Sequence, residues 1–293
     1  MQRKLHPLEG IVAVCALVFV LFVSIGFAQA QESVRKIALR SSSALVQDAE
    51  TGEIVFGKNA EVVVPIASIT KLMTAMVILD RGLDLDEQIV LDKEDNISMK
   101  GSRSRLRTGL ALTRGDLLLL ALMSSENRAA AALGRSYPGG LEAFADAMNA
   151  KAQALDMTES RFVEPTGLSP ANVSTASDLA KLVRAAHEYP QIREYSTRDR
   201  ATIRAMSTGR IARPVNLNYG NTNGLVRSNH WEIELSKTGY ISEAGRCLVM
   251  HVRLAQKDLI VVLLDSWGKQ SRIGDANRIR KWLESGAATG RSS

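Results

Sequence analysis

After the first thirty residues, short apolar runs separated by polar turns lie near both ends of the chain. Between these ends the apolar residues recur at helical spacing. Residues 43–58 contain two short apolar runs around a polar turn with Gly52, which predicts a β-hairpin. Across residues 66–79 the apolar positions recur every three to four residues. Pro65 stands just ahead and is expected in the first turn, so this segment predicts a buried helix.

The middle of the chain is predicted to be helical. Further helices are expected over residues 116–124, 141–155 and 176–188. Thr113 with Asp116 forms a start that resembles a capping box, and Thr175 begins the last of these helices, which ends before Pro190. Residues 191–230 are rich in Arg, Asn and Thr with weak periodicity, and the sequence assigns them no role.

Strands are predicted again near the C-terminus, over residues 232–235, 247–254 and 259–264, followed by a closing helix over residues 272–283. The last two strands are expected to pair across the short turn at residues 255–257. Strands at both ends with helices between them predict a mixed α/β fold: an antiparallel sheet built from both chain termini, flanked by helices, with an inserted helical lobe.

Composition and the N-terminus indicate a secreted globular protein. The chain has 293 residues, 45% of them apolar and 23% charged, with a formal net charge of +6, which excludes disorder as the main state. Arg3 and Lys4 precede an uncharged apolar run that ends in Ala28-Gln29-Ala30, the layout of a signal peptide. The prediction is a signal peptide, residues 1–30, and one periplasmic domain, residues 31–293, with no integral membrane part after cleavage.

Two alternatives remain for the N-terminus. An uncleaved anchor is possible because the apolar run is just long enough to span a bilayer, but the cleavage site favours removal. Lipidation at Cys15 is disfavoured, because Val14 stands where a small side chain is expected. Cleavage would leave Cys247 as the single cysteine, so no intramolecular disulfide is expected.

Several kinds of chemistry lose support by elimination. The histidines of the mature chain, His187, His230 and His251, lack the spacing of a zinc motif. Phosphate-binding loops and nucleophile elbows are also missing from the sequence, so no metal and no cofactor are expected. The small net charge argues against nucleic acid. The Arg-rich segments 103–107 and 198–213 are interpreted as solvated loops, with contact to an anionic polymer as the alternative.

A serine and a lysine one helical turn apart are the first candidate for catalysis. Ser68 and Lys71 form S-x-x-K, a pattern that also occurs by chance at residues 33–36 and 266–269. Only Ser68 stands at a predicted helix N-terminus, where the helix dipole stabilises a developing anion. A buried Lys71, with its pKa lowered by desolvation and a neighbouring cation, could take the serine proton.

Two further motifs make this candidate specific. Ser125-Glu126-Asn127 follows the Leu-rich helix, and Lys237-Thr238-Gly239 runs out of a predicted strand. S-x-x-K, S-x-N and K-T-G in this order are the signature of penicillin-binding proteins and class A β-lactamases. The chain resembles the serine-type D-Ala-D-Ala peptidases, the low-molecular-mass penicillin-binding proteins, over almost all of its mature length. Further segments that carry the resemblance are residues 48–52, 65–75, 123–130, 164–168 and 177–180.

The resemblance implies a transpeptidase-like fold, with an active site between the sheet edge and the helical lobe, and assigns catalytic roles. Ser68 would be the acylated nucleophile and Lys71 its general base. Ser125 would relay a proton to the leaving amine, and the backbone N–H groups of Ser68 and Tyr240 would form the oxyanion hole. The side chains of Glu126 and Tyr240 receive no chemical role.

The resemblance also assigns substrate contacts. Asn127 would hold a substrate amide, and Thr238 would bind a substrate carboxylate. Lys237 would attract that carboxylate and lower the pKa of Lys71. Gly239 would leave room for the substrate backbone.

The implied substrate is peptidoglycan, and β-lactam antibiotics are the implied covalent inhibitors. The preferred function is an endopeptidase that hydrolyses D-Ala to diaminopimelate cross-links, and the alternative is a carboxypeptidase that removes terminal D-Ala. The short segment after Gly239 favours the endopeptidase. A β-lactamase is disfavoured because residues 164–168 lack the E-x-x-L-N pattern. A penicillin sensor without catalysis is the remaining alternative.

Overall fold

The computed structural model describes residues 37–96, 104–208 and 211–286. The predicted signal peptide, residues 1–30, and its cleavage site lie outside the described residues. Among the helices in the described part of the chain, none combines the length and the apolar character needed to cross a bilayer.

Both ends of the described chain contribute strands to one antiparallel sheet. Its strands are β1 (Ser41–Asp48), β2 (Ile54–Lys58), β9 (Glu232–Ile241), β10 (Gly245–Leu254) and β11 (Lys257–Ser266). The order across the sheet is β2-β1-β11-β10-β9, so the N-terminal hairpin pairs with the C-terminal strands through β1 and β11. This confirms the predicted sheet from both termini and makes β9 an edge strand.

Alternating side chains of the sheet are buried on opposite faces. On β1, Ala44 and Val46 pack in one cluster with Ala276 and Ile279 of the closing helix, whereas Leu45 packs in the cluster that fills the helical lobe. Successive side chains of a strand point to opposite faces, and here both faces are covered by helices. The central strands β10 and β11 are therefore buried over most of their length, and the sheet is fixed from both sides.

The helical lobe is inserted between the two halves of the sheet. The α-helices of the described chain are α1 (Thr70–Asp80), α2 (Arg114–Met123), α3 (Asn127–Arg135), α4 (Gly140–Ala154), α5 (Ala176–His187), α6 (Pro190–Thr197) and α7 (Ser271–Glu284). Residues 70–78 of α1 are all buried, so this helix runs through the centre of the lobe. The predicted caps are confirmed, because Thr113 Oγ1 accepts from the N–H of Asp116 and Thr175 Oγ1 from the N–H of Asp178.

Short strands form two smaller sheets. β3 (Val64–Pro65) pairs with β6 (Val173–Ser174), and the order of the other sheet is β4-β5-β7-β8. Its members are β4 (Gln88–Val90), β5 (Leu110–Thr113), β7 (Arg200–Ser207) and β8 (Pro214–Gly220). Residues 191–230, which had no assigned structure, supply most of α6, all of β7 and β8, and a 3-10 turn at Gly224–Arg227.

One local prediction was wrong. Pro65 lies in β3 rather than in the first helical turn, because the N–H of Ile66 bonds the carbonyl of Asn172 and keeps the chain extended there. A helix that the sequence did not predict, α3, follows the Leu-rich helix, because Glu126 caps it by accepting from the N–H of Arg128. Asn127 is the first residue of this helix.

Candidate active site

Ser68 lies in a strained 3-10 turn that leads into α1. The turn covers Ala67–Ile69, and Ala67 has a φ of +48°, in the left-handed region that non-glycine residues rarely adopt. Thr70 Oγ1 donates to the carbonyl of Ala67 over 2.8 Å and holds the turn. Backbone strain of this kind concentrates at functional sites. Ser68 itself is only 8% exposed, so its hydroxyl faces a narrow opening.

Lys71 is fully buried beneath Ser68. Its Nζ lies 2.8 Å from Ser68 Oγ, 2.8 Å from Asn127 Oδ1 and 2.5 Å from the carbonyl oxygen of Thr166. Burial lowers the pKa of Lys71 to about 7, against the carboxylates of Glu164 and Glu126, which raise it. An amine with a pKa near neutrality is partly unprotonated at pH 7 and is placed to exchange a proton with the Ser68 hydroxyl.

Ser125 and Lys237 form a second hydrogen-bonded pair. Ser125 stands between α2 and α3 with a φ of +58°, and the Nζ of Lys237 on β9 lies 2.9 Å from its Oγ. Lys237 also donates to the carbonyl of Thr238 over 2.8 Å. Its pKa is held well below the usual range, first by burial and then by the cations of Lys71 and Arg272. Burial is thus the main cause of the low pKa of both lysines.

The edge strand β9 packs directly against the start of the nucleophile helix. A methyl group on Gly239 would lie 3.0 Å from the Ala67 Cβ, 3.0 Å from the Ile66 carbonyl and 3.1 Å from the Ser68 nitrogen. The absence of a side chain at Gly239 therefore lets the strand approach Ser68, a role beyond leaving room for substrate. Tyr240 is the next residue of β9 after this contact.

Thr238 and Tyr240 present different surfaces. Thr238 is buried, and its Oγ1 lies 2.7 Å from the Oγ1 of Thr222. The Tyr240 side chain is 55% exposed, and the guanidinium of Arg246 lies 4.5 Å from its ring centroid. The tyrosine ring thus lies on the surface beside Arg246.

A loop held by Glu164 closes the floor of the site. The Glu164 carboxylate accepts from the N–H groups of Thr166 at 2.6 Å and Gly167 at 2.7 Å, and from Asn172 Nδ2 at 3.0 Å. Gly167 has a φ of +77°, and a methyl group there would lie 1.9 Å from the carbonyl oxygen of Ala67. The loop places the Thr166 carbonyl against the Lys71 amine. The Glu164 carboxylate is occupied by hydrogen bonds within the loop.

Sequence reasoning missed three contributors to the site. The Thr166 carbonyl binds Lys71, the Thr222 hydroxyl binds Thr238, and Arg272 of α7 donates from NH1 to the carbonyl of Gly239 over 2.9 Å. The segment around Thr166 carried part of the family resemblance, which could have indicated the first. Arg272 and Thr222 lie outside any motif, so no sequence signal pointed to them.

The geometry is suited to acyl transfer by a serine nucleophile. A hydroxyl at a helix start, a buried amine within hydrogen-bond distance and a second serine–lysine pair converge between β9 and the lobe. The structure brings all eight sequence-predicted residues to this one place: Ser68, Lys71, Ser125, Asn127, Lys237, Thr238, Gly239 and Tyr240.

Comparison with known proteins identifies the family. The family model for D-alanyl-D-alanine carboxypeptidase matches residues 28–268. The chain belongs to this family. The peptidase is 49% identical over 251 residues to a D-alanyl-D-alanine endopeptidase of Pseudomonas aeruginosa, covering 86% of this chain and 79% of that one. It is 48% identical over 249 residues to a D-alanyl-D-alanine endopeptidase of Escherichia coli, covering 85% and 78% of the two chains.

Solved structures support the same fold. A Streptomyces DD-transpeptidase matches with a TM-score of 0.79 and 27% identity, covering 85% of the peptidase and 99% of that chain. A D-alanyl-D-alanine carboxypeptidase of Mycobacterium tuberculosis matches with a TM-score of 0.76 and 25% identity, covering 87% and 95%. The predicted transpeptidase-like fold and the serine D-Ala-D-Ala peptidase class are thereby confirmed.

Proposed function

We propose that the peptidase is a periplasmic D-alanyl-D-alanine endopeptidase that hydrolyses D-Ala to diaminopimelate cross-links of peptidoglycan. The observation that carries the catalytic part is the 2.8 Å contact between Ser68 Oγ and a fully buried Lys71 amine with a pKa of about 7. The preference for cross-links rests on the two relatives at 49% and 48% identity, both named endopeptidases.

Acylation begins with attack of Ser68 Oγ on the carbonyl carbon of D-Ala while the hydroxyl proton passes to neutral Lys71 Nζ. The backbone N–H groups of Ser68 and Tyr240 stabilise the oxyanion. When the C–N bond breaks, Ser125 gives its hydroxyl proton to the leaving amine and regains one through Lys237 beside it, while Lys71 gives up the proton that it took from Ser68. Water then hydrolyses the ester and restores Ser68.

Substrate is held by the remaining predicted residues. Asn127 orients a substrate amide while its Oδ1 accepts from Lys71. Lys237 and Thr238 attract a carboxylate, which in a cross-link belongs to the diaminopimelate residue that carries the leaving amine. A β-lactam presents a similar amide and carboxylate, so it should acylate Ser68.

Slow release of a β-lactam follows from the state of Glu164. Its oxygens already accept hydrogen bonds from Thr166, Gly167, Ser169 and Asn172. A carboxylate occupied in this way is poorly placed to activate water against the acyl-enzyme. This argues against a β-lactamase.

A carboxypeptidase is the second candidate, because the description of the matching family names that activity. Purified sacculi and defined muropeptides should be digested with the mature protein, and the products identified by mass. Conversion of cross-linked dimers to monomers supports the endopeptidase, whereas loss of terminal D-Ala alone supports the carboxypeptidase. A Ser68→Ala protein is the control, and no product from any substrate would refute both.

A further inference from the structure

Two histidines and a glutamate meet on the side of the molecule near the beginning of β9. His187 is the last residue of α5, Glu234 lies on β9, and His251 lies on the neighbouring strand β10. Glu234 Oε2 is 2.7 Å from His187 Nε2 and 3.2 Å from His251 Nδ1. The two imidazole rings stack with their centroids 3.8 Å apart. We call these three residues the histidine–glutamate cluster.

One nitrogen of this cluster is buried without a hydrogen bond. His251 is 5% exposed, and within the described residues its Nδ1 has no hydrogen-bond partner, since the nearby Glu234 oxygen lies outside bonding geometry. Buried polar atoms are normally paired, so an orphaned one calls for a ligand.

The surroundings favour a cation. His187 and Glu234 of the cluster line a groove of about 660 Å³, together with Glu188, Arg193 and Glu194. The Arg193 guanidinium is held at the helix end, where it donates to the carbonyl of His187. Glu194 is paired with Arg198, so Glu188 and Glu234 remain against Arg193, and the carboxylates still outnumber the guanidinium groups.

We infer that His187, Glu234 and His251 bind a divalent transition-metal ion of the zinc class. Two imidazole nitrogens and one carboxylate oxygen form a donor set that zinc uses in proteins, with water as the fourth ligand. The site lies outside the serine–lysine machinery, on the part of β9 that precedes Lys237. The ion would tie the end of α5 to β9 and β10.

The distances are close to those that coordination requires. The three ligand atoms lie within 4.8 Å of one another. A tetrahedral ion with bonds of about 2.0–2.2 Å needs ligand separations of roughly 3.3 Å, so shifts on the order of 1 Å suffice. Stacked rings point their lone pairs in parallel, so binding must also turn the His187 ring towards the ion. His187 stands at a helix end beside the groove, which leaves room for this rotation.

Zinc binding to the chelator-treated mature protein should be measured by calorimetry, with cobalt absorption as a second readout. We expect one ion per chain, and a rise in melting temperature of about 5 °C when free zinc is 100 times the dissociation constant. His187→Ala and Glu234→Gln should each weaken binding at least tenfold. His230→Ala is the matched control, because this histidine is exposed and lies outside the cluster.

Two results would overturn the inference: a parent protein that binds zinc no tighter than about 100 μM, or His187→Ala and Glu234→Gln proteins that bind it as the parent does. Equal loss in His230→Ala would place the metal elsewhere and would also overturn it. Penicillin acylation of Ser68 should stay at the parental rate in all three variants, which shows that they are folded. The measured zinc affinity does not depend on the proposed peptidase activity.

Discussion

Replacement of Lys71 by arginine tests whether this residue is the general base or only a positive charge. Burial lowers the pKa of Lys71 to about 7, so about half of the side chains are neutral at pH 7. At the ordinary value of 10.5, about one in 3,000 would be neutral. Burial therefore supplies a gain of about a thousandfold in the reactive form. Arginine stays protonated to about pH 12 and cannot accept the serine proton.

The expected effect follows from the loss of proton transfer. A positioned general base contributes about 100- to 10,000-fold in rate, so Lys71→Arg should reduce penicillin acylation by at least 100-fold at pH 7.5. In the parent protein the rate should fall about tenfold per pH unit below pH 7, since only neutral Lys71 accepts a proton, and should level off above it. This dependence should vanish from any residual rate in Lys71→Arg.

The assay is stopped-flow or gel-based acylation by a labelled penicillin, with thermal melts for every variant. Lys58→Arg is the matched control, because Lys58 is a half-buried lysine on β2, at the opposite edge of the main sheet, that donates to the Leu39 and Ser41 carbonyls. Lys71→Met is the second variant: it has a similar length, has no basic nitrogen and buries no charge. Lys237→Arg should lose less than Lys71→Arg, because its role is electrostatic.

Either of two outcomes would refute the reasoning. A folded Lys71→Arg or Lys71→Met protein that acylates Ser68 within tenfold of the parent would show that another group takes the proton. A parent rate that does not change between pH 5.5 and pH 8 would show that no group with a pKa near 7 controls acylation.

Three other predictions concern the nucleophile, the loop below it and the N-terminus. Peptide mapping after labelling should place penicillin on Ser68. The adduct should persist much longer than the acyl-enzyme of a β-lactamase does, and label on a different serine would contradict the mechanism. Gly167→Ala should cost at least about 3 kcal/mol of unfolding free energy and abolish acylation, because its methyl group would meet backbone at 1.9 Å. Gly82→Ala has a similar positive φ with nothing within 4 Å, so it should cost only about 1–2 kcal/mol in chemical denaturation and keep acylation; equal losses would refute the steric argument. The intact mass of the protein recovered from the periplasm should correspond to a chain that starts at Gln31. A species in the membrane fraction that retains residues 1–30 would exclude cleavage.

Much of the fold could be predicted because its signals are local. Three kinds of element depend on residues that are close together in the sequence: the hairpin around Gly52, the capped helices after Thr113 and Thr175, and the final strand pair. The failures occurred where partners are distant. Pro65 is extended because Ile66 binds Asn172, about a hundred residues later, and the strands between residues 200 and 220 are ordered by pairing with each other and with β5.

The order of three motifs determined the residues of the site, but not how they act on one another. The motifs pointed to Ser68, Lys71 and Lys237, and the sequence predicted a lowered pKa for Lys71 from burial beside a second cation. The tertiary structure decided that Lys71 is entirely enclosed and that the Thr166 carbonyl is one of its partners. Solvation depends on every element packed around a group, and periodicity along one helix reports only one of them.

The histidines show the same division most clearly. Along the chain His187 and His251 lie far apart, and their spacing made zinc binding an unfavoured interpretation. In the structure their rings stack, because α5 ends beside the strand pair β9 and β10. A sequence by itself determines which segments form helices and strands, and which side chains share a face, because these depend on near neighbours. Which faces meet, and therefore which distant polar groups share one environment, is decided only when the whole chain packs its apolar surface.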